Sequence, residues 1–213
     1  MNVVGANQSG SDPHHRRCSA TIALTLLLVV PLLTAASDYR FTYTNPSIGS
    51  RTAPFVLEYF SLVDCVPCLR FELETLQTIM PLVDGGRLRI VFRDIFPHDD
   101  VLGSGLELFC LQEYPDYLQR RQSAKKHQVF VANPEPALPR KARARYESCL
   151  ETKAGVPILT YNQESFDRRQ LHGTPSFSLL LSHRTGTVVR NWSGSITASD
   201  LNTAMGDLLS RIQ

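Results

Sequence analysis

Two cysteines lie three positions apart at the point where an apolar run gives way to a helical pattern. The run, Phe55–Leu62, is typical of a strand buried on both faces. Between Cys65 and Val83, apolar residues recur at three- and four-residue steps, which predicts an amphipathic helix with polar residues such as Glu72 on its opposite side. Cys65 and Cys68 therefore begin that helix, and this placement constrains the fold more than any other feature of the chain.

A cysteine in the first turn of a helix meets unpaired backbone N–H groups and the positive end of the helix dipole, which stabilise a thiolate. We therefore predict that Cys65 is an attacking thiolate and that Cys68, one turn on, closes a disulfide with it. Two other interpretations stay open here: an inert structural disulfide, or half of a zinc site. A zinc site would need a second close pair, and the remaining candidates, Cys110 and Cys149, are far apart in sequence.

The order of elements along the chain indicates one architecture. A second strand, Leu88–Phe92, follows the helix, and a hairpin of Ser176–Leu181 and Thr187–Trp192 precedes a closing helix that starts at Thr197. A β-α-β half and a β-β-α half in one sheet form an α/β thioredoxin fold, here with a helical stretch between the halves. The predicted boundaries are 54–98 for the first half, 99–170 for an inserted helical subdomain and 171–213 for the second half.

The N-terminal segment differs in composition from the rest. His14–Arg17 is polar and positive, Ala20–Leu33 is apolar, and Thr34–Ser37 consists of small residues. This three-part layout predicts a secretory signal peptide over 1–37, with an uncleaved membrane anchor as the second choice. Residues 38–53 are expected to form a tether. The formal net charge of +2 gives no indication of nucleic acid binding.

The cysteine count agrees with export. Five cysteines are present, and Cys18 lies inside the predicted signal peptide. Removal of that peptide leaves Cys65, Cys68, Cys110 and Cys149, an even number that indicates two disulfides in an exported chain. The count alone permits three pairings of these four residues.

A proline before the C-terminal hairpin is the second chemical signal. The tetrapeptide His172–Pro175 directly precedes a predicted strand. In a thioredoxin fold this position holds a cis proline packed against the active-site pair, which makes Thr174 and Pro175 candidate substrate-binding residues. A cis bond leaves the carbonyl and N–H of Thr174 free to pair with an extended substrate segment. The alternative is a plain chain turn.

The carboxyl group of Glu58 lies within an otherwise apolar strand. Burying a carboxylate costs free energy unless the group is paired or protonated. We predict that Glu58 is a proton-transfer group for the resolving cysteine, since a buried acid beneath such a pair can shuttle protons. The alternative is an edge position that reaches solvent or pairs with a lysine or an arginine.

Several stretches resemble the bacterial DsbA-like family of thiol–disulfide oxidoreductases. Those that carry the family resemblance are Val56–Ser61, Cys65–Cys68 and Gly173–Phe177. Those that resemble the DsbG-related subgroup are Val91–Asp94, Leu108–Cys110 and Ser148–Leu150. The resemblance extends from Pro54 to the C-terminus and includes the helical insert expected of the family.

The resemblance implies a role for each matching residue. Cys65 corresponds to the nucleophile, Cys68 to the resolving cysteine and Pro175 to the cis proline, while Cys110 and Cys149 correspond to a structural bridge. It further implies a periplasmic location, protein substrates that carry thiols or disulfides, and a membrane redox partner that regenerates the active disulfide. No organic cofactor or metal is expected, because electrons pass between cysteines.

The direction of exchange is less constrained. The dipeptide Val66-Pro67 replaces the Pro-His of the strong oxidases, and Asp64 places a negative charge beside Cys65; both disfavour the thiolate. Oxidation of substrate thiols is the favoured direction, with isomerisation or reduction as alternatives. The segment 38–53 is short for the dimerisation domain that isomerases of this group carry, so a monomer is expected. The rival from another class is a non-catalytic thioredoxin-like chaperone or assembly factor.

Overall fold

A five-stranded sheet organises the part of the chain that the structure describes. The structure is a computed structural model, and it describes residues 44–130, 140–183 and 186–211. In chain order the strands are β1 (Ser47–Ile48), β2 (Phe55–Ser61), β3 (Leu88–Asp94), β4 (Ser176–His183) and β5 (Gly186–Ser193). Across the sheet their order is β1-β3-β2-β4-β5, so the strand that leads to Cys65 is central.

The strand pairing follows from how the chain connects the strands. β2 and β3 are parallel, with Ser61 opposite Asp94, as a crossover helix between consecutive strands requires. On the other side of β2, β4 runs antiparallel with Phe177 opposite Tyr59, and β5 returns antiparallel to β4. A β-α-β half and a β-β-α half therefore share one sheet, which confirms the predicted α/β class.

Helices connect and cover these strands. The helix after Cys65 consists of α1 (Val66–Arg70), a π-helical turn (Phe71–Thr75) and α2 (Leu76–Asp84). The helices described between β3 and β4 are α3 (Leu102–Cys110), α4 (Tyr117–Phe130), α5 (Arg140–Glu151) and α6 (Val156–Arg168), with short 3-10 turns at Asp99–Val101 and Leu111–Glu113. The last helix is α7 (Ala198–Ser210). It begins at a capping box, in which Thr197 Oγ1 accepts the N–H of Asp200 and the Asp200 carboxylate accepts the N–H of Thr197.

Alternation along β2 divides its side chains between the two faces of the sheet. On one face, Leu57 and Tyr59 join the main core with Phe177 of β4, Leu76 of α2 and Leu201 of α7. On the opposite face the buried residues are Phe60, Ile95, Phe166 and Leu171. Because successive residues of a strand point to opposite faces, every position of β2 belongs to one of these two environments.

The helices between β3 and β4 have a core of their own. Leu106, Phe109 and Leu159 pack around Cys110 and Cys149. These two cysteines form a disulfide that joins α3 to α5; their Cα atoms are 5.8 Å apart, and the residues are separated by 39 positions in sequence. This is the pairing that the family resemblance implies.

Replacing both Cys110 and Cys149 by alanine is expected to lower the free energy of unfolding by between about 3 and 4 kcal/mol, because the bridge restrains a long loop of the unfolded chain. Urea unfolding without reductant measures the loss. Thiol–disulfide exchange at Cys65 is expected to stay unchanged, which serves as the internal control. A loss below about 1 kcal/mol would show that the bridge contributes little to folding.

The N-terminal predictions have separate outcomes. The predicted signal peptide, 1–37, lies outside the described residues. The segment predicted as a tether, 38–53, contains the edge strand β1, in which Ser47 and Ile48 pair antiparallel with Val91 and Ile90 of β3. Among the helices that the structure describes, none is both long enough and apolar enough to cross a bilayer.

Candidate active site

The first turn of α1 brings the two predicted catalytic cysteines together as a disulfide, with Cα atoms 5.1 Å apart. Cys65 caps the helix from an extended backbone conformation, and its Sγ accepts the N–H of Cys68 at 3.1 Å. Pro67 occupies the first turn, where a missing N–H leaves no hydrogen bond unmade. After reduction, the same N–H donor is in place to stabilise a thiolate on Cys65.

The two cysteines differ in their access to solvent. Cys65 keeps 8% of its surface exposed, whereas Cys68 has 0%. Val66 is 45% exposed, and Asp64 and Pro67 are exposed as well. An incoming thiolate or disulfide therefore reaches Cys65 and not Cys68. The exposed apolar surface of Val66 lies directly beside the reactive sulfur and is available to a partner.

The Thr174–Pro175 segment lies at the same end of the sheet as the cysteines. The register that pairs Ser176 with Phe60 places Pro175 beside the end of β2, from which the chain runs to Cys65. The Thr174–Pro175 peptide bond is cis, Pro175 is buried and Thr174 is half-buried. No backbone hydrogen bond of Thr174 is found within the described part of the chain. Its N–H and C=O are thus available to an extended segment.

Tyr59 lies beneath the helix that follows Cys65 (the cysteine helix), and its hydroxyl lies between Cys68 and the buried carboxylate of Glu72. Its hydroxyl oxygen is 3.1 Å from the carbonyl oxygen of Cys68 and 3.1 Å from Glu72 Oε1, so it shares one proton between two acceptors. The ring stacks on Phe177 with centroids 5.3 Å apart and packs on Phe71 at 4.7 Å. Burial and the neighbouring Glu72 carboxylate raise the pKa of Tyr59 well above its ordinary value, so the phenol stays protonated.

Glu72 belongs to a set of four buried charged residues, which we call the buried charge cluster: Glu72, Asp94, Arg121 and Lys125. Arg121 Nε lies 3.0 Å and Lys125 Nζ lies 2.8 Å from Glu72 Oε1. The guanidinium of Arg121 also donates to both oxygens of Asp94, at 2.7 Å each. Ser61 Oγ sits between them, within reach of Arg121 at 2.6 Å and Lys125 at 3.1 Å. Two carboxylates and two cations make the cluster neutral.

The pKa values within the cluster reflect burial opposed by pairing. Burial alone would raise the pKa of Glu72, but Arg121 and Lys125 outweigh it and hold that pKa below its ordinary value. Asp94 follows the same pattern, with Arg121 as the main opposing charge. Burial lowers the pKa of Lys125 to about 8, although the Glu72 carboxylate opposes this shift. All four groups are therefore charged at neutral pH.

The position of Glu72 differs from the sequence prediction. Periodicity places Glu72 on the polar side of the helix, yet the residue is 0% exposed, whereas the apolar side chain of the next residue, Leu73, is exposed. The reason is the π-helical turn, whose hydrogen bonds span five residues instead of four and so shift the spacing of the buried face. Arg121 and Lys125 of α4 then cover the acid. Sequence reasoning missed all three residues, because nothing local marks them as buried.

Glu58 lies on the other face of the sheet. It is buried and forms ion pairs with Arg93 of β3 and Arg169, at the end of α6. Its neighbour Tyr59 is the residue that points towards Cys68, and alternation directs Glu58 the opposite way. The structure therefore favours the alternative of arginine pairing over the predicted proton transfer, for which Glu58 faces the wrong side of the sheet.

Comparisons with known proteins agree with this arrangement. Residues 42–181 match the family model Thioredoxin_4, described as thioredoxin. Similar solved structures include α-DsbA1 of Wolbachia pipientis, with 17% identity, 79% of this chain and 92% of that chain covered, and a TM-score of 0.56. DsbA2 of Pseudomonas aeruginosa has 15% identity, coverage of 78% and 95%, and a TM-score of 0.58. BdbD of Bacillus subtilis in its oxidised form has 12% identity, coverage of 78% and 93%, and a TM-score of 0.56.

Among curated proteins, no sequence matches this chain. The DsbG-related subgroup stays a prediction, since the family model and the similar structures do not reach that level. The family model nevertheless covers more than half of the sequence, and the similar structures share its architecture. The chain therefore belongs to the thioredoxin family, and its fold is that of the DsbA-like thiol–disulfide oxidoreductases.

Proposed function

We propose that this protein catalyses thiol–disulfide exchange with protein substrates, through a mixed disulfide on Cys65, and that it acts as an oxidase. The observation that carries the proposal is the disulfide at the start of α1, where Cys65 is reachable and Cys68 is fully buried. A purely structural bridge would gain nothing from this asymmetry. Thiol–disulfide exchange needs this difference in access, because Cys65 Sγ must be open to attack while Cys68 Sγ stays protected until it resolves the mixed disulfide.

The reaction proceeds in two exchanges. A substrate thiolate attacks Cys65 Sγ, the Cys65–Cys68 bond breaks, and Cys68 leaves with the electron pair and takes up a proton. A second substrate thiolate then attacks the substrate sulfur of the mixed disulfide and displaces Cys65 as a thiolate. The substrate loses two electrons and two protons and becomes a disulfide. The enzyme gains the two electrons and one proton, and the other proton goes to solvent.

Support for the oxidising direction comes from the groups that stabilise the product of that reaction. The N–H of Cys68 already points at Cys65 Sγ, and the helix terminus adds its dipole, so the reduced form with a Cys65 thiolate is stabilised. The exposed carboxylate of Asp64 opposes this effect from the adjacent position. We therefore place the protein on the oxidase side with a couple less oxidising than that of the strong oxidases. Disulfide isomerisation or reduction is the alternative outcome.

Substrate binding is assigned to Thr174 and Pro175. The backbone groups of Thr174 are available for β-type pairing with an extended segment that carries the reacting cysteine. The exposed side chain of Val66 adds an apolar contact beside the sulfur. Such a site selects unfolded or extended segments, and it requires no cofactor.

The cellular setting is part of the same proposal. The signal-like segment 1–37 directs the chain to the periplasm, with a membrane-anchored form as the second choice. There it works as a monomer of the DsbG-related subgroup, and a membrane redox partner regenerates the active disulfide. Four cysteines in two bridges fit an oxidising compartment.

The decisive measurement is the reduction potential of the Cys65–Cys68 couple in glutathione buffers, read by alkylation of free thiols and mass spectrometry. The oxidase proposal expects a value less negative than about −200 mV, towards the −120 mV or so of strong oxidases. A value near about −270 mV would show a reductant instead. No exchange with glutathione at any ratio would leave the non-catalytic chaperone or assembly factor as the function.

A further inference from the structure

The polar contacts of helix α4 with the cysteine helix converge on Glu72. Three of its side chains contact Glu72: Arg121 and Lys125 pair with the carboxylate, and Gln122 Nε2 donates to the Glu72 carbonyl oxygen at 2.8 Å. Glu72 stands in the π-helical turn, one turn beyond Cys68. A helix of the insert therefore holds both the charge and the backbone of the turn that follows the redox pair.

The side chain of Tyr59 connects Glu72 to Cys68. The hydroxyl of Tyr59 bridges Glu72 Oε1 and the carbonyl oxygen of Cys68, at 3.1 Å to each. Lys125 Nζ lies 5.6 Å from the centroid of the same ring. Lys125, Glu72 and Cys68 are thus arranged around one aromatic side chain, in a region from which solvent is excluded.

The two cations of the cluster are not equivalent. Arg121 is committed to Asp94 through two hydrogen bonds and gives Glu72 one further bond. Lys125 has Glu72 as its one ion-pair partner among the described residues, with Ser61 as a hydrogen-bond acceptor. Lys125 is therefore the charge that balances Glu72. Without it, the carboxylates of Glu72 and Asp94 would share the single positive charge of Arg121, and the cluster would carry a net negative charge beneath the cysteine helix.

We propose that Lys125 is a positioning residue for the Cys65–Cys68 pair: by neutralising Glu72 it stabilises the reduced form that carries a thiolate on Cys65. This inference rests on the proposed function and deepens it. In the dielectric of a buried site, one uncompensated charge at several ångströms is felt strongly by another. The insert thereby sets how oxidising the couple is, through a charge that lies behind the cysteine helix.

The equilibrium with glutathione reports this effect directly. Two glutathione molecules reduce the pair, giving oxidised glutathione, a Cys65 thiolate, a Cys68 thiol and one released proton. Lys125→Met leaves Glu72 unbalanced and penalises the thiolate, so the equilibrium constant for reduction is expected to fall about tenfold, or roughly 30 mV towards reducing values. Glu72→Gln leaves the cation unbalanced instead, and the constant is expected to rise by a similar factor.

The double variant Lys125→Met/Glu72→Gln restores neutrality and is expected to return the constant to within about threefold of wild type. Lys126→Met is the matched control, since Lys126 is the exposed neighbour on the same helix and its loss is expected to change nothing. Opposite signs for the two single variants, with recovery in the double variant, cannot come from loosened packing, because packing defects would add.

Folding is checked by thermal unfolding of each oxidised variant. If Lys125→Met does not fold, Lys125→Gln removes the charge while keeping a donor near Glu72, and Glu72→Gln alone still tests the opposite sign. A wild-type chain that exchanges with glutathione while these variants share its constant overturns the positioning role alone. A wild-type chain that does not exchange overturns the proposed function and this inference together.

Discussion

Replacing Cys65 by alanine is expected to lower the rate of disulfide transfer to a dithiol peptide by about a thousandfold or more, since it removes the nucleophile and electron acceptor that every step uses. Cys68 cannot take over, because it is fully buried beneath the first turn of α1. The measurement follows oxidation of the peptide by stoichiometric oxidised protein, with product disulfide quantified by mass spectrometry.

Cys68→Ala is the matched variant, because it removes the resolving thiol and leaves the reachable one. This variant is expected to accumulate a mixed disulfide between Cys65 and the substrate, visible as a shifted band on a non-reducing gel. Cys65→Ala should form none. If Cys65→Ala oxidises the peptide as fast as wild type, the cysteine pair at the start of α1 is not catalytic. That result would favour the alternative function, a non-catalytic chaperone or assembly factor.

The cysteine site could be predicted because its signals are local. Cys65 caps a helix whose start is marked within a few residues by the end of β2 and by Pro67, so spacing alone places the sulfur at the helix terminus. Thr174 and Pro175 need more than their own segment, because a proline before a strand is also compatible with a plain turn. Their role can be predicted only together with the cysteine pair and the order of elements, which indicate a thioredoxin fold.

The buried charge cluster could not be predicted, because its members come from distant parts of the chain. Glu72 and Arg121 are 49 residues apart, and each has the composition of a solvent-facing helix position. The π-helical turn adds a second obstacle, since it breaks the α-helical spacing on which the exposed side was assigned. Only the packing of α4 against the cysteine helix shows that these polar residues form ion pairs and hydrogen bonds with one another in the core.

Glu58 illustrates a different limit. The sequence correctly marks Glu58 as an unusual carboxylate in an apolar strand. Its neighbours in β2, Leu57 and Tyr59, are both hydrophobic, so the sequence does not show which face of the sheet lies against the cysteine helix. The face is decided by the helices that cover the sheet: Tyr59 meets the cysteine helix, and Glu58 meets Arg93 and Arg169. A shift of one position along the strand exchanges the two roles.

Replacing Arg121 by methionine is expected to lower the free energy of unfolding by about 5 kcal/mol, the upper end of the range for breaking a buried ion pair. Arg121 is fully buried and donates hydrogen bonds to Asp94, Glu72 and Ser61. Methionine fills much of the volume but donates no hydrogen bond, so Asp94 loses its only cation in direct ion-pair contact among the described residues. Urea unfolding of the oxidised protein measures the difference.

The matched control is Arg168→Met, which breaks an ion pair with Glu164 that is 58% exposed on both sides. Its loss is expected to stay below about 0.5 kcal/mol, because solvent screens such a pair. The double variant Asp94→Asn/Arg121→Met is expected to recover at least about 2 kcal/mol of the single-variant loss, since it removes the stranded carboxylate and Lys125 still balances Glu72. Recovery would show that the loss reflects an unpaired buried charge.

A loss below about 1 kcal/mol for Arg121→Met would contradict the cluster as described, because burying the Asp94 carboxylate beside methionine, without a cation, costs more free energy than that.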